Sequence, residues 1–106
     1  MDNNVIIQAL LLLPGISRKT VWKFLKRVTN IEKDPISLYD QLFCFSRKFK
    51  FTKQVLIDCI NHAESIISKA MDKDIDAISI LDDLFPPNFK LIDDPPVLIY
   101  VKGNIL

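Results

Sequence analysis

Glycine is scarce: Gly15 and Gly103 are the only two in 106 residues. That excludes the glycine-rich phosphate loops of dinucleotide and nucleoside-triphosphate sites, which need two or three glycines at fixed spacing. With only six prolines, it also argues against a loop-rich all-β design and against disorder. Cysteine is as rare. Cys44 and Cys59 fall on separate predicted helices, with no CxxC pair and no histidine cluster. They are expected to be buried thiols in a reducing cytoplasmic compartment, neither a disulfide nor a metal set. The single histidine, His62, lies one position off an apolar helical stripe and is expected at the surface. The longest apolar run, Ala9 to Leu13, is far short of the ~20 residues that a bilayer span needs, so no membrane partner is expected. No basic segment with a cleavage site opens the chain, and no signal peptide is expected.

Catalytic constellations are missing as well. Asp72, Asp74 and Asp76 alternate like a calcium loop but lack its Gly and its closing Glu. Asp82-Asp83 and Asp93-Asp94 read as turn formers, not as an acid/base pair. No nucleophile stands with a base. The expectation is therefore a chain with no catalytic residue, no metal and no cofactor.

What is present is an ordinary globular composition, 49% hydrophobic and 25% charged. The net charge of +1 conceals an asymmetry. Residues 1–53 carry ten Lys/Arg against four Asp/Glu, and residues 54–106 carry four against nine. A basic half either meets a polyanion or is a solvated face.

Hydrophobic periodicity predicts four helices. The first, Val5 to Leu13 with Asn3 or Asn4 as cap, is apolar almost all round and expected to be buried. Pro14 ends it, and Gly15 follows where positive φ costs nothing. Ser17 is the expected N-cap of a helix from Arg18 to about Val28, although Thr20 stands where a capping box would have Glu or Gln. Val21, Phe24, Leu25 and Val28 form its buried stripe. Lys19, Lys23 and Lys26 take another face, with Arg18 and Arg27 nearby and Trp22 at the core edge. Asp34-Pro35 opens a third helix to about Phe45, burying Ile36, Tyr39, Leu42 and Phe43. Thr52 caps a fourth, Lys53 to Met71, with a stripe from Val55 to Ala70 that makes it the expected packing axis. Between the last two, Ser46 to Lys53 interleaves cations with Phe49 and Phe51. That pattern suits either base stacking or a basic turn with docked rings, and the docked turn is favoured.

After the acidic run Met71 to Asp76, the expected linker, the character changes. Ala77 to Leu81 reads as a short strand, Asn88 to Ile92 as one helical turn, and Val97 to Val101 as a strand of the buried, parallel-sheet kind. Lys102-Gly103-Asn104 reads as a turn.

One constellation suggests a ligand. A helix N-terminus offers main-chain N–H groups and partial positive charge to a phosphate. Gly15 would allow close approach, and Ser17, Arg18, Lys19 and Lys23 would supply donors and charge. These five are the candidate nucleic-acid-binding residues. The competing reading is a structural turn whose donors Ser17 itself occupies.

The stretch Ile78 to Asn104 resembles the DNA-processing protein A (DprA/Smf) family. The likeness is carried by Phe85-Pro86, Leu91, Pro95-Pro96, the strand Val97 to Val101, and Gly103. Leu11 to Leu25 is similar to that family's opening helical domain. The resemblance implies a mainly α fold. Residues 1–72 would form a four-helix bundle of the helix-hairpin-helix or SAM-like kind. Residues 73–106 would hold the first two short strands of an incomplete α/β, Rossmann-like domain. It also implies single-stranded DNA binding, a part in DNA uptake and natural transformation, and RecA as a protein partner. Two departures stand out: Phe85 replaces the family's usual Tyr, and Ser17 stands where a DNA-binding hairpin usually has a second Gly. The 106 residues also stop short of the Gly-Ser/Thr-Arg loop with which the family binds single strands. The rival expectation is a helical interaction module without DNA affinity, dimerising through its apolar C-terminal strands.

Overall fold

The computed structural model describes residues 3–28, 30–46, 49–88 and 96–102. The protein is mainly helical with a small antiparallel sheet: α1 Asn3–Leu12, α2 Arg18–Arg27, α3 Pro35–Phe45, α4 Lys53–Asp72, β1 Ile75–Ser79 and β2 Leu98–Lys102. Three helix starts are set by side-chain caps. Ser17, Asp34 and Thr52 have extended backbone, and their side chains accept from the N–H of Thr20, Ser37 and Val55. The start of α1 differs from the expected Asn cap. Both asparagines lie inside the helix, and Asn4 Nδ2 donates to the Ala77 carbonyl of β1 at 2.9 Å.

α1 is the centre of the packing. Val5, Ile6, Ile7, Ala9 and Leu10 are buried, and the helix touches α4, β1, α2 and β2. A helix with so little polar surface can only exist surrounded. α4 faces it with Leu56, Ile60, Ala63 and Ile67. α3 packs through Leu38 and Leu42. Ile36, expected inside, is 56% exposed, because it sits about 200° around α3 from Leu38. The same angular offset from Leu42 puts Cys44 on the outside, correcting its expected burial. Cys59 is half-buried, and burial, with a smaller contribution from the Asp58 carboxylate, raises its thiol pKa. His62 is exposed.

The segment before α4 docks its rings. Phe49 and Phe51 are 7% and 4% exposed. They meet Phe43 and Tyr39 edge-on, at centroid separations of 6.3 and 5.7 Å. Tyr39 Oη donates to the Phe51 carbonyl at 3.1 Å. Those rings are not available to stack on a ligand. Arg47 and Lys48, just before Phe49, lie outside the described residues.

At the end of α4, Lys73 and Asp74 N–H donate to the Ala70 and Met71 carbonyls, and Asp74 takes φ +63°. The acidic run is thus a helix-stop turn. β1 begins two residues earlier than expected and pairs with β2 antiparallel, Ile78 opposite Ile99. This corrects the parallel-sheet reading. A parallel pair needs a crossover, usually a helix. The described part of the link has turns instead, with Asp82 Oδ1 accepting from Leu84 N–H at 2.9 Å and Phe85 buried. An antiparallel pair with one packed face explains the mixed burial of the apolar strand. Val97 is 1% exposed, Ile99 and Val101 are half-buried, and Tyr100 is exposed. Ala77, Ile80, Val97 and Leu98 join the helical core. Most of the expected turn Asn88–Ile92, Asp93-Asp94-Pro95, Gly103-Asn104, and with them the motif residue Leu91, lie outside the described residues.

Candidate nucleic-acid interface

Pro14 and Gly15 form an exposed turn between α1 and α2. Gly15 has φ +76°, and a Cβ built there would meet nothing within 4 Å. Its requirement is therefore conformational, not steric crowding. Gly15→Ala is expected to cost about 1–2 kcal/mol, the left-handed penalty, and Gly15→Asn clearly less. Equilibrium denaturation with unchanged slope checks this ranking.

Ser17 closes part of the helix start. Its Oγ lies 3.2 Å from Thr20 N and 2.9 Å from Thr20 Oγ1. The Ser17 carbonyl also receives the Thr20 and Val21 N–H groups, each at 3.1 Å. The Thr20 hydroxyl thus meets the cap's own hydroxyl, where the Glu of a capping box would take the cap's backbone N–H. The Thr20 donor is occupied, and the main-chain part of the anticipated phosphate nest is reduced accordingly.

The side chains are better placed than the main chain. Gly15, Ser17, Arg18, Lys19 and Lys23 are all exposed. α2 carries five cations and no acid. Arg18 and Lys19 occupy its first turn, where the macrodipole is already positive. Each costs the helix about 0.3–1 kcal/mol there. Lys19 and Lys23 make no ion pair with a described residue. Helical geometry sorts the face into two rows at four-residue spacing, Arg18–Trp22–Lys26 and Lys19–Lys23–Arg27.

Trp22 and Lys26 lie beside the five candidates and are not among them. Trp22 is half-buried, and Lys26 Nζ stands 4.1 Å above its ring. Trp22 Nε1 is buried with no hydrogen-bond partner among the described residues. Such a donor costs about 1–3 kcal/mol. With Leu25 of α2 and Ile80 and Leu81 just past β1, these two line a groove of about 200 Å³. The available signal was the i, i+4, i+8 spacing of Arg18, Trp22 and Lys26, which sets an aromatic ring between two cations.

Among the described residues, no group of His, Cys, Asp and Glu is arranged to hold a metal ion, and no helix is long and apolar enough to cross a membrane. No family model matches the chain, and neither the curated proteins nor the solved structures yield a match.

Proposed function

We propose that this chain is an accessory domain of a DprA-like single-stranded-DNA-binding protein, and that α2 is its contact face. The observation that carries the reading is the pair of four-spaced rows on α2. Their five cations are exposed, and the helix itself carries no acid. The quoted C-terminal residues support the family, and with it a cytoplasmic role in DNA uptake and a RecA-like protein partner. Binding is electrostatic in origin and tolerant of sequence, because lysines on one helix face read backbone charge and not base edges.

A second reading has its own observation. β1 and β2 form a two-stranded sheet, and no third strand pairs with either among the described residues. Leu81, Leu84 and Tyr100 are exposed nearby. An interaction module would use such an edge to dimerise.

A salt titration of oligo-dT binding separates the two. Contacts to three phosphates give a log–log slope of about −2, at about −0.7 per phosphate for single strands. No binding at low salt, together with a concentration-dependent dimer, would favour the second reading.

A further inference from the structure

We propose that the groove between α2 and the turn after β1 is a stacking subsite for one base of a single-stranded nucleic acid. This rests on the reading of α2 as the phosphate-contacting face and names what lies beside it. The walls are apolar: Leu25, Ile80, Leu81 and the ring of Trp22. The volume, about 200 Å³, is roughly six or seven water volumes. It is smaller than the ~300–1,000 Å³ of a drug-sized site and suits a single ring.

Charge complementarity selects the occupant. Trp22 has Arg18 four residues before it, Lys26 four residues after it, and Lys19 three before, all on its side of α2. An aromatic platform set among cations matches a base carried on a phosphate chain. The opposite lip is acidic. Asp82 and Asp83 follow Leu81, and Asp82 is engaged by the Leu84 N–H. Phosphates are therefore repelled from that lip and held along α2, which gives the bound strand a side. Lys26 now covers the Trp22 ring. A base entering the groove exchanges that contact for stacking and leaves the lysine to meet the adjacent phosphate.

Trp22 is the only tryptophan of the chain, so its emission reports the groove directly. Titration with oligo-dT is expected to quench that emission in step with binding measured by anisotropy of the labelled strand. An abasic strand of the same length is expected to bind about 10- to 100-fold more weakly, the loss typical of one base–aromatic stack, and to leave emission nearly unchanged. Leu81→Glu changes an exposed lip residue, 47% accessible, and is expected to lower oligo-dT affinity towards the abasic value with the circular dichroism preserved. Equal binding of the two strands with unquenched emission would overturn the subsite while leaving the electrostatic reading standing. Failure of both strands to bind at low salt would remove both. Emission that changes with protein concentration alone, alongside sedimentation as a dimer, would give the groove to a second copy of the chain and overturn the proposal.

Discussion

Exchanging Lys19, Lys23 and Lys26 together for glutamate is expected to abolish oligo-dT binding while leaving the fold intact. All three are exposed on α2, and none is paired with a carboxylate of a described residue. If each neutralises one phosphate, their removal takes away a slope of about −2. At 0.1 M salt that corresponds to about 100-fold in affinity, before any repulsion from the new carboxylates is counted. Each lysine exchanged singly for alanine should cost about five-fold by the same relation. Stability should change little, because opposing effects meet. A glutamate at position 26 gives up the contact with Trp22 and a cation in the last turn of α2. Surface substitutions lie within about ±0.5 kcal/mol, and a glutamate at position 19 complements the helix dipole that Lys19 opposes. Lys69 and Lys73, exposed at the far end of α4, provide the control. Reversing them should leave affinity within about two-fold, since a contacting phosphate must lie close to its cation. A binding face elsewhere would reveal itself as an α2 variant that still binds.

The second large effect is structural. Val97→Asp is expected to destabilise the whole chain by more than about 4 kcal/mol. Val97 is 1% exposed and sits in the helical core, although it precedes β2. The substitution forfeits about 1.5–3 kcal/mol of apolar burial and sets a carboxylate in the hydrophobic core. The sheet and the helices share α1, through Asn4 to Ala77 and through Ala77 and Val97 in the common core. One thermal transition should therefore move as a unit, downward by roughly 15–30 °C. Two transitions, with the helical one unmoved, would show that the strands are an independent appendage.

Much of the fold was legible because it is encoded locally. Ser17, Asp34 and Thr52 each announce a helix start that their side chains then make. The four-spaced apolar stripes of α2 and α4 survive as the buried faces. What sequence could not convey was mostly non-local. Strand direction depends on how the link returns, and the apolar run Val97 to Val101 looks alike in a parallel or an antiparallel sheet. Ile36 is apolar yet exposed, because Leu38 and Leu42 take the core-facing side of α3. At the site, the competition between Ser17 and a phosphate for the Thr20 N–H was foreseeable, and the cap occupies it. The groove was not foreseeable, since Ile80 and Leu81 reach Trp22 only when β1 packs beside α1.

The central claim is that α2 meets nucleic acid through its cationic rows and its tryptophan. A two-dimensional ¹⁵N–¹H spectrum of the labelled protein, recorded before and after adding oligo-dT, tests it at single residues. The single indole N–H of Trp22 and the amides from Gly15 to Lys26 should shift together, saturating at one affinity, with α4 amides near His62 unmoved. A spectrum in which the indole and the α2 amides stay in place while binding proceeds would contradict it.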